Sequence, residues 1–313
     1  MAAKKVILFI MSIVFWVFLV LGMLETASRF IWPYDMSLRK IVRCSLDPKI
    51  IFELKPNTET IFTGQHVKIP PTTIKISSQG IRDGEYSINK PLGVYRVVIL
   101  GDSVAFGWGV ELEQTFGKYL EKMLNEYGAQ KYEVINFSVP GYNTVQEVAT
   151  LESKCLLYRP DLVIFSICGN DYQPAFNYLY PFAFLQHMPD YFYKSRLVGG
   201  VIGQLVFLKD QANAHKFKQG IAEAAQAIGK LSELIARNNL KVLFYNGDER
   251  DFKDILIKFG FSDCVIESNR GNFFQAEYII ARDGHLNSKG HKKVAESIYD
   301  FLETRGYLKV GKN

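Results

Sequence analysis

Five residues of this chain have the types and neighbours that acyl-transfer chemistry needs. Ser103 stands in Gly101-Asp102-Ser103, directly after the continuously apolar run 97–100. A short β-branched and aliphatic run of that kind reads as a buried strand. A serine just past the carboxyl end of a central strand sits where open α/β sheets place their ligands, which makes Ser103 a candidate nucleophile. Alone, the tripeptide reads sooner as a turn with a capping serine than as a nucleophile. The weight comes from three further blocks. Asn136-Phe-Ser-Val-Pro-Gly141 follows a second strand-like run, and Gly141 lets backbone N–H groups approach a ligand closely. Cys168-Gly-Asn-Asp171 follows a third, and its Asn170 amide is a side-chain donor. Asp283-Gly-His285 stands just before the last helical pattern. Residues i and i+2 of an extended or turn segment point the same way, so Asp283 can reach one ring nitrogen of His285 and leave the other for Ser103. That is the nucleophile, base and orienter logic of acyl transfer. The Ser103 and Gly141 N–H groups with the Asn170 side chain then form an oxyanion hole, each donor worth about 3–4 kcal/mol in comparable sites.

Such blocks need elements to position them, and the pattern supplies these. Strand-like runs at 97–100, 133–137, 162–168, 241–245 and 264–266 alternate with helix-like runs at 114–127, 144–157, 217–238, 251–259 and 288–304. Phe116, Leu120, Met123 and Leu124 share one face of the first helix; Val294, Ile298, Phe301 and Leu302 share one face of the last. The alternation predicts βαβ units around a mostly parallel sheet. Within 67–76 a weak alternation predicts a short strand pair, and Ser77-Ser-Gln-Gly80 and Arg82-Asp-Gly84 read as turns. The interval 172–210 breaks the rhythm with Tyr172, Phe176, Tyr178, Tyr180, Phe182 and Phe184 among its aromatics. It reads either as a packed subdomain with an aromatic core or as a lid, substrate platform or lipid-facing surface.

Composition sets the outer limits. With 313 residues, 48% hydrophobic, the chain can bury one large α/β core and has material left over. A net charge of +5 without any Lys/Arg-rich run gives no footprint for nucleic acid. Cys44, Cys155, Cys168 and Cys264 show no metal-ligand spacing, and Cys155 and Cys168 read as buried thiols. Residues 6–24 carry no charge, and at 1.5 Å per residue they extend about 28 Å, close to a bilayer core. Glu25-Thr-Ala-Ser-Arg29 is a poor cleavage site, so the segment reads as an uncleaved single-pass anchor rather than a removed signal. Lys4 and Lys5 before it place the amino terminus inside, whereas Arg29, Arg39, Lys40 and Arg43 after it argue the reverse.

The ordered blocks around Ser103, Gly141, Asn170 and His285 resemble those of the SGNH/GDSL hydrolase family, over about residues 95–305. The resemblance implies a flavodoxin-like three-layer α/β/α sandwich and esterase, lipase or acyltransferase activity with no metal or other cofactor. Its catalytic residues would be Ser103, Asp283 and His285, with Ser103, Gly141 and Asn170 at the oxyanion. The usual family acid lies three residues before the histidine, where this chain has Arg282, so Asp283 takes the role, with Asp102 and Asp171 as the other candidates. An anchor followed by such a domain resembles extracytoplasmic members that modify bacterial polysaccharides. The expected organisation is an anchor at 1–30, a stalk and lead-in at 31–94, and the hydrolase domain at 95–308 with the insertion at 172–210. The expected activity is hydrolysis of an acyl ester on a carbohydrate or other small molecule. The alternatives are O-acyl transfer with the same residues, lysophospholipid or lipid-ester hydrolysis, and a non-catalytic anchored assembly protein. His66, His187, His215 and His291 carry no partner pattern, and His291 reads as a surface or packing residue.

Overall fold

A computed structural model of the chain describes residues 2–31, 37–64, 69–173, 195–201, 204–205, 208, 217–246, 250–267 and 275–308. The first helix, α1 (Ala2–Ile31), is apolar along most of its length. Its segment Lys4–Ile31 holds an 18-residue window of mean hydropathy 2.9, none of it buried, and is long and apolar enough to cross a membrane.

Five parallel strands form the central sheet: β5 (Val94–Gly101), β6 (Lys131–Asn136), β7 (Leu162–Ser166), β8 (Lys241–Tyr245) and β9 (Val265–Ile266). Their order is β6-β5-β7-β8-β9. Relabelled from the first strand, this is 2-1-3-4-5, the doubly wound order whose ligand crevice lies where the first and third strands part. Alternate residues of each strand feed opposite faces. Val98, Leu100, Val163, Phe165, Val242 and Phe244 pack against α4 (Thr144–Ser153), α5 (Phe217–Asn238) and α6 (Arg250–Lys258). Val97, Ile99, Leu162, Ile164 and Leu243 pack against α3 (Phe116–Tyr127) and α7 (Ser288–Thr304). The result is an α/β/α sandwich with two cores, one on each side of the sheet.

A third core lies over the carboxyl end of β5. Residues 42–76 carry two antiparallel pairs, β1 (Val42–Cys44) with β2 (Phe52–Leu54) and β3 (Thr58–Phe62) with β4 (Thr72–Ile76). Their Phe52, Phe62, Ile74 and Ile76 pack on Phe106, Trp108, Val139 and Tyr142. The pair expected inside 67–76 is thus one strand, β4, whose partner lies upstream at 58–62. The burial pattern of β4 alternates cleanly, as a strand with one solvated face must.

Several element ends differ from expectation for local reasons. The strand expected over 162–168 stops at Ser166, because the Cys168 N–H turns away to the Asp171 carboxylate at 2.6 Å. The helix expected over 144–157 ends at Ser153 and continues as a 3-10 turn, Cys155–Tyr158, closed by Arg159 at φ 51°. A four-residue helix, α2 (Ser103–Phe106), was not foreseen. Asp102 caps its start through the Val104 N–H, and Gly107 closes it at φ 85°. Of the aromatic interval, Phe176 to Tyr193 lie outside the described residues, as do His66, His187 and His215.

Candidate active site

Ser103 opens α2 immediately beyond β5, so its hydroxyl stands at the switch point of the sheet. Its Oγ lies 2.8 Å from His285 Nε2. His285 Nδ1 lies 2.7 Å from Asp283 Oδ1, and the His285 backbone N–H donates to the same oxygen at 3.3 Å. A carboxylate can only accept, so Nδ1 carries the proton and Nε2 is left to accept from the serine. Burial acts to raise the Asp283 carboxyl, but hydrogen bonds and charge from His285 outweigh it and hold the group below its ordinary range. The turn bearing this pair is fixed by Ile280 N–H donating to His285 C=O at 2.8 Å and by Gly284 at φ 91°. Asn287 then caps α7 through the Lys289 and Gly290 N–H groups.

The other two expected residues reach the same edge from neighbouring strands. Gly141 follows β6 in a turn closed by Tyr142 N–H to Val139 C=O at 3.1 Å, and its φ of 81° is one that glycine adopts freely. Asn170 follows β7, and its amide donates to Tyr142 C=O at 2.7 Å, so the two turns are tied together. That bond uses one amide hydrogen and leaves the second available. Among the described residues neither the Ser103 nor the Gly141 N–H has an acceptor. Asp171 accepts from Cys168 N–H at 2.6 Å and from the Thr144 hydroxyl at 2.9 Å, locking the Asn170 turn to the start of α4. Asp102 accepts from Val104 N–H at 2.9 Å and lies 3.5 Å from Ser103 Oγ. Of the three acids considered beside the histidine, Asp283 is the one on its ring nitrogen.

Sequence reasoning passed over two residues here. Trp108 stacks on His285 with ring centroids 5.1 Å apart. Arg82, read as part of a turn, is buried, and its guanidinium donates to the carbonyls of Phe106 at 3.1 Å, Gly107 at 2.6 Å and Val110 at 2.7 Å. Burial lowers Arg82 to about 10, with Glu111 opposing the shift, so it stays charged at neutral pH. It clamps the loop that joins Ser103 to Trp108. A charged residue inside Gly-rich turn chemistry was the available signal, since an arginine is buried only where partners await it. His291 is a packing residue. It is buried, accepts from Phe116 N–H at 3.2 Å, and is lowered to about 3 by burial and by the charges of Arg82 and His285. Cys155 is buried and Cys168 partly so.

An open parallel sheet in this order, with a serine at its switch point, is a flavodoxin-like doubly wound α/β scaffold. Residues 99–252 match the GDSL-like Lipase/Acylhydrolase family, and the match supports a carboxylic ester hydrolase. The match takes in Ser103, Gly141 and Asn170 and ends before Asp283 and His285. Among solved structures the chain is similar to TesA, at 16% identity over 67% of this chain and 98% of that one, TM-score 0.44. It is similar to the psychrotrophic esterase EstA from Pseudoalteromonas sp., at 14% identity over 68% and 98%, TM-score 0.45. It is also similar to the lipase/acylhydrolase from Enterococcus faecalis, at 17% identity over 70% and 100%, TM-score 0.44. No curated protein sequence matches the chain significantly.

Proposed function

We propose that this protein is a membrane-tethered serine esterase that removes an acyl group, with acetyl the first case to test, from a carbohydrate or other small ester. The observation that carries the reading is the unbroken chain Ser103 Oγ, His285 Nε2, His285 Nδ1, Asp283 Oδ1, with steps of 2.8 and 2.7 Å. Ser103 attacks the ester carbonyl while His285 takes its proton, and Asp283 steadies the imidazolium so formed. The developing oxyanion is received by the Ser103 and Gly141 N–H groups and the free hydrogen of the Asn170 amide. His285 returns the proton to the leaving alcohol, and water then repeats the sequence on the acyl-enzyme. Ser103 is half-buried, as a nucleophile reached by a small ester must be. A cleft of about 500 Å³ adjoins the His285 turn, lined by Ile69, Pro70, Val110, Glu111, Gln114 and Ile280. That volume suits a small ligand.

The same residues serve an O-acyltransferase if a sugar hydroxyl replaces water, and the mixed polar and apolar lining of that cleft gives an acceptor room. The reading of α1 is a single-pass anchor that holds the domain on the extracytoplasmic side. Glu25 in its last turns accepts from the Ser195 hydroxyl at 2.6 Å and from the Arg196 and Leu197 N–H groups at 2.9 and 3.1 Å. The anchor is thereby joined to the helical stretch 196–201. The deciding experiment is fluorophosphonate labelling of the purified chain with turnover of an aryl acetate, with and without an oligosaccharide acceptor. Labelling of the wild type and none of Ser103→Ala is the expected result; an unlabelled wild type points to a non-catalytic assembly role. Acetate release that is fastest in water alone selects the esterase, and acceptor-dependent transfer selects the rival.

A further inference from the structure

Glu147 lies in α4 with its side chain wholly buried, and neither carboxyl oxygen has a hydrogen-bond partner among the described residues. It is in electrostatic contact with two further buried carboxyls, Asp171 beyond β7 and Asp102 beyond β5. Both of these do have partners: Cys168 N–H and the Thr144 hydroxyl for Asp171, Val104 N–H for Asp102. Thr144 stands three residues before Glu147, so the two side chains leave α4 on one face.

Three carboxylates without a cation among them cannot all be ionised in a dry interior. Burying one unpaired carboxylate costs several kcal/mol, and each like-charged neighbour adds to that. The group holds a proton instead. Burial raises Asp102, Glu147 and Asp171 alike. Mutual repulsion adds to the rise of Glu147 and Asp171, and Asp171 is pushed up to about 8. The Cys168 thiol faces Asp102 and Asp171, is itself raised by burial and by their charge, and so stays neutral. Among the described residues, His285 is the basic group that acts on the cluster, through Asp102. On α5, which packs against α4, Lys230 is engaged with Glu152 at 3.0 Å. Nor are any three His, Cys, Asp or Glu side chains among the described residues placed to hold a metal.

We propose that Glu147 is a proton-holding positioning residue, whose neutral carboxylic acid lets Asp102 and Asp171 lie close together behind the loops that carry Ser103, Gly141 and Asn170. The functional half of the proposal rests on reading Ser103, His285 and Asp283 as the triad. Asp102 caps α2 at Ser103, and Asp171 locks the Asn170 turn to the start of α4, beside Gly141. An ionised Glu147 drives these two acids apart, and the oxyanion donors leave the serine with them. Glutamine keeps the shape and a donor but cannot ionise; alanine leaves a hole and two unscreened acids.

The full chain in detergent, as wild type, Glu147→Gln and Glu147→Ala, gives two separate readouts. The first is the thermal midpoint from about pH 5 to about pH 9. Groups whose folded pKa is raised stabilise the fold below their unfolded value, and that stability is lost as pH rises through the folded one, near 8 for Asp171. The wild-type midpoint therefore falls across this range, Glu147→Gln flattens the fall, and Glu147→Ala lies lower throughout. The second readout is the rate of fluorophosphonate labelling at Ser103. Its ratio at high to neutral pH is expected to rise about three-fold or more in Glu147→Gln over wild type. A glutamine variant with the wild-type slope and the wild-type ratio overturns the proposal, and so does a glutamine variant as damaged as the alanine one. If the wild type is not labelled at all, the triad reading fails, and the midpoint comparison judges Glu147 by itself.

Discussion

Trp108 lies face to face with His285, the ring centroids 5.1 Å apart and the planes inclined by 19°. Trp108 is itself held edge-on by Phe62 of β3, with centroids 4.6 Å apart. A residue far upstream of the sheet thus supports the plane against which the His285 imidazole rests. An indole face favours a cation over it by about 0.5–2 kcal/mol, and in the proposed mechanism the imidazole gains its positive charge by taking the serine proton. The contact should therefore count more in the transition state than in the resting enzyme. Trp108→Phe is expected to lower kcat by about 2- to 30-fold with little change in KM. A change confined to KM would mean that Trp108 touches substrate instead.

In the proposed mechanism Asp283 acts by orienting His285, so Asp283→Asn should leave the backbone in place and lower kcat by about a thousand-fold or more, as loss of the correct tautomer does in serine proteases. The carboxyl also leaves a mark on stability. Its folded pKa is depressed, so its contribution is present above the unfolded value, near 3.8, and is lost as pH falls through the folded one. Acid unfolding followed by tryptophan fluorescence should show a smaller pH dependence below about pH 4 in the asparagine variant. An unchanged acid limb would place the depressed group elsewhere.

Arg82 spans the loop 106–110 with three carbonyl contacts, and a fourth reaches Thr73 C=O at 3.3 Å. Each hydrogen bond to a charged group is worth about 1.5–3 kcal/mol, and removing the donor strands buried carbonyls. Arg82→Ala should destabilise the chain by about 3 kcal/mol or more, read as a lower urea midpoint. Arg82→Lys cannot span the same acceptors, so it should recover stability only in part and lose labelling at Ser103 ahead of its fold. If lysine restores both, the guanidinium fork is not what positions the loop.

These cases mark where the sequence is readable. The i, i+2 spacing of Asp283 and His285 is local, and the strand–helix alternation is a pattern of single elements, so the parallel sheet with helices on both faces could be foreseen. Arg82 could not, because its acceptors in the loop 106–110 lie 24 to 28 residues further on and become neighbours only when the β3–β4 pair closes over α2. Trp108 looked like another apolar residue until the His285 turn was folded against it. Glu147 reads as a polar position in an amphipathic helix, since burial of both sides of α4 depends on the hairpins that cover its Ala149 and the sheet that covers its Val148. The short α2 was legible in principle: Asp102 and Gly107 cap the two ends of a four-residue stretch, but a helix that short has no periodicity to detect.

The apolar length of α1 makes it the expected membrane anchor. Wild-type chain should stay with the membrane through alkaline extraction, and a chain lacking residues 2–31 should not. Glu25 adds a finer test, because it is a charged residue at the end of an apolar helix and its carboxylate is engaged by Ser195, Arg196 and Leu197. An acceptor at the first N–H groups of a helix stabilises that end by about 0.5–2 kcal/mol. Glu25→Ala keeps the apolar span and should still fractionate with membranes. Freed of the carboxylate, the Arg196–Leu197 bond should open more often, and trypsin should cut there several-fold faster in membrane-bound protein. Equal cutting rates would show that the helix at 196 holds itself, and that α1 tethers the domain without shaping it. Faster cutting together with a slower aryl acetate turnover would tie the anchor to the site, since Val198 packs on the same core as Trp108 and Tyr142.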